Sequence, residues 1–382
     1  MNSLKYCPPL RFTRENGEVY PNWEERPLSE YLVEYTEKTL IKNQYPVLTS
    51  SRAGLVLQTE HFNGQVTTED NIGYHVIPYG YFTYRSRSDD GRFVFNRNTL
   101  IDKGIVSYFY PVFYVNGADP YFVWIYLNNF LSRQIVREIV GTSQLVLSFN
   151  KLKNLTIKIP SLPEQEKISS FFSLLDQKIE KQQEKIEQLE LFKKGMLQKI
   201  FSQEIRFKDE NGQEFPEWEQ SSIGDFLKIR HGKSQKQIED PKGKFPILAT
   251  GGEIGRTNTP LYSKPSVLIG RKGTINKPQY METPFWTVDT LFFSEISERV
   301  SPKFVYYLFN QINWLMYNEA SGVPSLSAAT IESIECEIPS SIMEQTRIAE
   351  FLSAIDRKIE NEQKKMNYYN EQRKYFLRHM FM

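Results

Sequence analysis

Residues Glu164 to Phe201 read EQEKISSFFSLLDQKIEKQQEKIEQLELFKKGMLQKIF, and residues Glu344 to Phe381 read EQTRIAEFLSAIDRKIENEQKKMNYYNEQRKYFLRHMF. The second is a version of the first, 180 positions later. Glu164, Gln165, Ile168, Phe171, Ser173, Asp176, Lys178, Ile179, Glu180, Gln183, Lys185, Lys194, Leu197 and Phe201 all recur identically. In both stretches the apolar residues step alternately by four and three, the heptad spacing of a coiled coil. The first seam runs through Ile168, Phe172, Leu175, Ile179, Gln182, Ile186 and Leu189; the second runs through Ile348, Leu352, Ile355, Ile359, Glu362, Met366 and Tyr369. Each helix of about 37 residues spans roughly 55 Å at 1.5 Å per residue. Polar residues interrupt both seams at matching places. Paired antiparallel with ends aligned, the helices set Gln182 opposite Glu362. A buried polar pair fixes register at a cost in stability. Replacing both residues by leucine is therefore expected to stabilise the chain and loosen the spacing of its domains.

The repeat extends past the helices. Ile159-Pro160-Ser161 and Ile338-Pro339-Ser340 precede them, as proline does at a strand exit before a helix. Arg11-Phe12 to Trp23-Glu24 matches Arg206-Phe207 to Trp218-Glu219. Pro120-Tyr121-Phe122-Val123 matches Pro302-Lys303-Phe304-Val305, and Leu147-Ser148 matches Leu326-Ser327. Between these borders the chain is rich in short aromatic and β-branched runs bounded by Gly, Pro, Asn or Asp, such as Tyr79 to Arg85, Gly104 to Val115, Ser266 to Gly270 and Pro284 to Phe293. The expected fold class is α+β: two similar mixed α/β domains, separated and joined by two long helices that form an antiparallel coiled coil. The expected boundaries are 1–160 and 204–339 for the domains and 161–203 and 340–382 for the helices.

The 382 residues include 48 Phe and Tyr and carry a net charge of +1, the composition of a folded protein with more than one domain. The start of the chain has no basic-then-apolar leader, and no run of 18 apolar residues occurs. Only Cys7 and Cys336 are present, too few for a disulfide framework, so a reducing cytoplasm and no membrane are expected.

Catalytic signatures are missing. Gly232-Lys233-Ser234 ends like a phosphate-binding loop, but Leu227 stands where that loop needs glycine. There is no G-x-G-x-x-G fingerprint and no Gly-x-Ser-x-Gly elbow. The histidines His61, His75, His231 and His379 lie singly, without metal-ligand spacing. The chain is not expected to be an enzyme by itself or to hold a metal.

Charge points to binding instead. Between Phe226 and Lys277 eleven cations face three anions, a local excess of +8 suited to a polyanion. Within it, glycines let the backbone approach a ligand closely beside Lys233, Arg256, Arg271, Lys272, Thr274 and Lys277. The counterpart in the first domain is Tyr84, Arg85, Ser86 and Arg87, continuing to Arg92 and Arg97. Arginine can read guanine edges and hydroxyl side chains can add base contacts, although a phosphate contact or an ion pair is the more ordinary use of any single arginine.

These residues resemble the specificity subunit of type I DNA restriction–modification systems over essentially the whole chain. The resemblance is carried by Ile159-Pro160-Ser161-Leu162-Pro163-Glu164-Gln165-Glu166-Lys167-Ile168 with Leu175-Asp176 and Ile179, by their copies from Ile338 and Ile355-Asp356, by Phe285-Trp286-Thr287-Val288-Asp289-Thr290-Leu291 and Gly270 to Thr274, and by Phe82 to Arg87. Ser340-Ser341-Ile342-Met343 has one residue more than Ser161-Leu162-Pro163 and lacks its second proline, which is expected to loosen the start of the second helix.

The resemblance implies two target recognition domains, each reading half of a split site in double-stranded DNA, with the helices setting the gap. At about 3.4 Å per base pair, half-site centres roughly 15 base pairs apart are implied. It further implies that the chain binds no cofactor directly. Two adenine methyltransferase subunits bring S-adenosylmethionine and flip the target base, and motor–nuclease restriction subunits use ATP and magnesium. Tyr368, Tyr369 and Tyr375 have no counterparts in the first helix, so the two copies are expected to pack unequally on a partner. The rival reading is a coiled-coil adaptor that binds proteins, not DNA, through its two β-rich domains.

Overall fold

The computed structural model describes residues 7–61, 70–141 and 144–382. The chain divides into two compact units, Met1–Lys181 with Asn367–Met382, and Gln182–Met366. The divisions fall inside both long helices, Leu162–Phe201 and Ile342–Phe381, each of 40 residues. Each unit therefore consists of one α/β domain, the first part of the helix that follows it and the last part of the other helix.

In the first unit a four-stranded antiparallel sheet has the order Leu32–Tyr35, Val112–Val115, Phe82–Tyr84, Phe95–Arg97. The helix Pro120–Asn129 packs behind it through Phe122, Val123, Ile125 and Tyr126. Asp119 caps that helix by accepting from the Phe122 amide, and Pro120 takes the first position, where no amide bond is lost. The strand pair Glu24–Pro27 with Thr156–Ile159 leads into the long helix. The second unit repeats the plan. Its sheet has the order Leu227–Arg230, Leu291–Ile296, Ser266–Gly270, Gln279–Met281. The backing helix is Pro302–Gln311, and the closing pair is Trp218–Ser222 with Glu335–Pro339. A three-stranded sheet of Gly252–Thr257, Phe245–Ala249 and Trp286–Thr287 is added beside it.

The repeated helix residues have repeated duties. Arg11 grips the buried carboxylate of Glu164 with Nε and Nη2 at 2.9 and 2.7 Å, and Arg206 grips Glu344 at 3.3 and 3.2 Å. The Gln165 amide accepts from the Asp119 amide and donates to the Pro160 carbonyl; Gln345 does the same between Ser301 and Pro339. Asp176 accepts from Tyr121 and pairs with Arg373, while Asp356 accepts from Tyr307 and pairs with Lys193. Glu-Gln and Asp recur because each domain is latched to its helices in the same way.

Within each unit the helix segments pair antiparallel. In the first, Phe171 meets Phe376, Asp176 meets Arg373, and Lys178 lies 4.3 Å from the Tyr369 ring. In the second, Lys193 meets Asp356, and Gln182 Nε2 donates to Glu362 Oε2 at 2.7 Å and to its carbonyl at 3.0 Å. Ile168, Leu175, Ile186, Ile348, Ile355 and Met366 of the expected seam are buried, Ile179 and Ile359 half-buried. The expected loosening at the second helix does not occur: both helices begin two residues before their Glu-Gln, and the strand ahead of the second runs on through Pro339 to take up the extra residue.

Candidate nucleic-acid interface

In the first unit, the strand Arg87–Ser88 follows a bend after the central sheet and pairs with Leu145–Val146. The Leu147 amide donates to the Ser86 carbonyl at 2.9 Å and extends this ribbon. Beside it lies a cleft of about 140 Å³ lined by Arg85, Arg87 and Arg92, together with Arg52, Ser50 and Asp89. Arg52 is a cation that no sequence pattern singles out. It sits in the turn of the hairpin Leu48–Ser51 with Gly54–Leu57 and pairs with Asp90 at 2.8 Å. A single arginine between a serine pair and Ala-Gly gives no periodic signal, so only the tertiary fold shows that it joins the cleft. Arg85, Arg87 and Arg92 are exposed, and none has an ion-pair partner among the described residues.

Two residues expected at this surface serve the fold. Tyr84 is fully buried against Phe95 and Phe113, donates its hydroxyl to the Leu147 carbonyl at 2.9 Å, and burial pushes its phenol pKa up. It faces inward because it lies on the core face of the central strand. Arg97 is half-buried, donates Nε to the Gly80 carbonyl at 3.2 Å and lies over the Phe82 ring, which fixes it to a turn. Ser86 holds the Phe109 carbonyl with its hydroxyl at 2.6 Å, leaving less freedom for a ligand.

The second unit gathers four segments. The Lys233 amide donates to the Thr287 carbonyl, the Arg271 amide donates to Thr290, and the Trp286 indole donates to the Lys233 carbonyl, each at 2.8 Å. The Gly273 amide donates to Pro324 and the Leu326 amide to Arg271, at 2.9 and 3.0 Å. The Phe285–Leu291 motif is thus the backbone rail on which two basic loops hang. Glycine is required there: a Cβ at Gly232 would lie 2.0 Å from the Val288 carbonyl oxygen, and one at Gly270 would lie 2.2 Å from the Thr274 carbonyl oxygen.

Lys233 and Lys272 are exposed on these loops, and Arg271 is half-exposed with one bond to the Asp289 carbonyl. Lys277 is exposed farther along the chain, and Thr274 is half-buried. Arg256 does not belong with them. Its guanidinium donates to the Gly243 and Lys244 carbonyls and pairs with Glu253, so it holds a hairpin together. Of the eleven cations in the basic window, Lys228 and Arg230 are also paired, with Glu332 and Glu295.

One backbone bond recurs in both sites. Leu147 to Ser86 in the first unit is Leu326 to Arg271 in the second, and in both the acceptor precedes an exposed cation, Arg87 or Lys272. Among the described residues, no group of three or more His, Cys, Asp or Glu could hold a metal ion, and no helix is long and apolar enough to cross a membrane.

The family described as type I restriction modification DNA specificity domain matches residues 22–191 and again 216–368. The putative type I restriction enzyme MjaX specificity subunit of Methanocaldococcus jannaschii is 28% identical over 275 residues, which cover 65% of this chain and 64% of that protein. The type I restriction enzyme MjaIX specificity subunit of the same organism is 31% identical over 164 residues, 40% of this chain and 35% of that protein. Among solved structures, the type I restriction–modification S subunit from M. genitalium superposes with a TM-score of 0.66 at 18% identity, covering 99% of both chains. A chain from work on complex assembly and conformational transition of the type I system superposes with a TM-score of 0.53 at 17% identity, covering 98% of this chain and 99% of that one. These two likenesses are likenesses of fold.

Proposed function

Because the chain belongs to the type I restriction modification DNA specificity family, we propose that it is the non-catalytic DNA-reading subunit of a type I restriction–modification complex. Each unit reads one half of a split duplex site, and the paired helices hold the two readers. Two adenine methyltransferase subunits bring S-adenosylmethionine to the assembly, and motor–nuclease subunits add restriction with ATP and magnesium. The chain itself supplies shape and charge and performs no bond chemistry.

The observation that carries this reading is the repeated ribbon. The same backbone bond in both units presents a cation with no ion-pair partner among the described residues: Arg87 in one, Lys272 in the other. Uncommitted cations on an exposed backbone edge suit phosphates and base edges. The adaptor reading draws only on the near-neutral net charge of +1, and it gives no reason for two matched basic edges. Long-read methylation mapping of host DNA, with and without this gene and with the methyltransferase present in both, tests the proposal. A split adenine-methylated motif that depends on the gene is expected. No gene-dependent motif, with the methyltransferase active and bound, would favour the adaptor.

A further inference from the structure

In the first unit the ribbon has three members. Val146 pairs with Arg87 across one side, and it exchanges two backbone bonds with Val140 across the other, at 3.2 and 2.8 Å. Residues directly opposed in antiparallel strands point to the same face, and their chain neighbours point to the other. One face therefore carries Ser88, Leu145 and Ile139. It packs inward: Leu145 and Ile139 methyls lie 3.3 and 3.8 Å from where a Gly91 Cβ would be, and Ser88 is buried. The opposite face carries Arg87, Val146 and Val140 in one row, and Val140 is 63% exposed.

Arg87 is held without being neutralised. Its guanidinium stacks 4.2 Å from the Phe109 ring centre, and Ser86 anchors the Phe109 carbonyl. No carboxylate pairs with it among the described residues, whereas Arg52 is paired with Asp90. A stacked planar fork is pre-organised for a bidentate acceptor.

We propose that this face is the base-reading edge of the first unit. Arg87 takes the O6 and N7 edge of a guanine, and Val140 covers the 5-methyl group of a thymine a few pairs away. The inference rests on the DNA-reading role proposed above and assigns its residues. Two strand spacings of about 4.8 Å make the row about 10 Å wide. Laid along the major groove, that row covers about three base pairs at roughly 3.4 Å each. The matching position in the second unit pairs Lys272 with Ser325, a cation beside a hydroxyl in place of a valine row. The two half-sites are read by different chemistry.

The test is methylation mapping with the fully assembled complex bearing Arg87→Ala, Arg87→Lys or Val140→Ala. Val136→Ala serves as a control, since Val136 is exposed to a similar degree but lies on the helix Ser132–Glu138, off the ribbon. Both Arg87 variants are expected to relax one guanine position in one half of the motif, by about tenfold or more. Val140→Ala is expected to relax a thymine in the same half, and the control keeps the motif. In a binding assay, replacing that thymine by deoxyuridine should weaken the unmodified complex about fourfold and leave the Val140→Ala complex unaffected. Uniform weakening at all sites would make Arg87 a phosphate contact, and full rescue of specificity by Arg87→Lys would remove the stacked guanidinium fork from the reading; either would overturn the assignment. So would a motif unchanged in both Arg87→Ala and Val140→Ala. Failure of the unmodified protein to direct any motif would instead sink the DNA-reading role itself.

Discussion

Gln182 and Glu362 meet where the heptad spacing sets them, and the bond between them is buried. Lys185 and Lys365 also reach the Glu362 carboxylate, at 3.0 and 3.1 Å. The Gln182 hydrogen bond first, and these lysines next, hold that carboxyl down at about 2. A folded value below the ordinary 4.5 means the stabilisation is fully present above pH 4.5 and is lost as pH falls towards 2. Unfolding midpoints of the unmodified protein and Glu362→Gln should therefore differ at pH 6, and the difference should shrink below pH 4.5 and vanish only as pH falls towards 2. A pH-independent difference would remove the carboxylate from the account. Gln182→Leu alone leaves a buried carboxylate short of a partner and should cost about 1–3 kcal/mol. The double leucine variant should recover that loss or exceed the original stability, as read by denaturant unfolding. At this same scale Tyr84, Arg97 and Arg256, expected at the interface, are bonded to carbonyls within the fold. Residue type announces a capacity to bind; whether the side chain is spent on the fold depends on neighbours brought from elsewhere in the chain.

Short elements are readable where both ends carry chemical punctuation. Pro120 and Pro302 mark helix starts, and Ser148 and Ser327 cap the helices before the closing strands. The ribbon of Arg87 and Val146 is not readable, because two-residue strands have no period to detect. The loop at Gly232 reads in sequence only as an incomplete phosphate motif. Its glycine is there because the Val288 backbone passes too close for a side chain. Gly232→Ala should lower the stability of the second unit by about 1–3 kcal/mol and impair methylation through one half-site. Normal stability and an unchanged motif in that variant would show that the loop can move aside. Tyr368 and Tyr375, which replace Gln188 and Gly195 of the first helix, are 61% and 55% exposed, whereas Tyr369 is taken up by Lys178. Mutating Tyr368 and Tyr375 to alanine together should weaken methyltransferase binding by about tenfold if this face holds a partner. An unchanged affinity in a pull-down titration would free the helix face from that role.

At the scale of the whole chain, recognition and chemistry are expected to separate. The purified protein given DNA and S-adenosylmethionine alone should leave the DNA unmodified; any methylation by it would overturn the scaffold role. Duplex affinity should fall steeply with salt, as it does when lysine and arginine displace counterions. Alanine at Arg85 and Arg92 should weaken all sites alike and reduce the salt slope by about one for each phosphate left without its cation. That behaviour would contrast with the position-specific effect expected at Arg87.

The two-part plan, the paired helices and the polar register pair were legible in the chain alone, because they follow from periodicity and repetition along it. A heptad reports its own burial, and a segment repeated 180 residues later reports its own copy. The family membership and the basic character of the second domain were legible there too. Which cations remain free was settled only by the folded arrangement. Arg256 and Arg97 donate to carbonyls of other turns, while Arg87 stacks on Phe109 and faces outward with Val140. The reason is that a guanidinium is satisfied by whichever acceptor comes within about 3 Å, and that acceptor is set by the path of distant backbone rather than by local sequence.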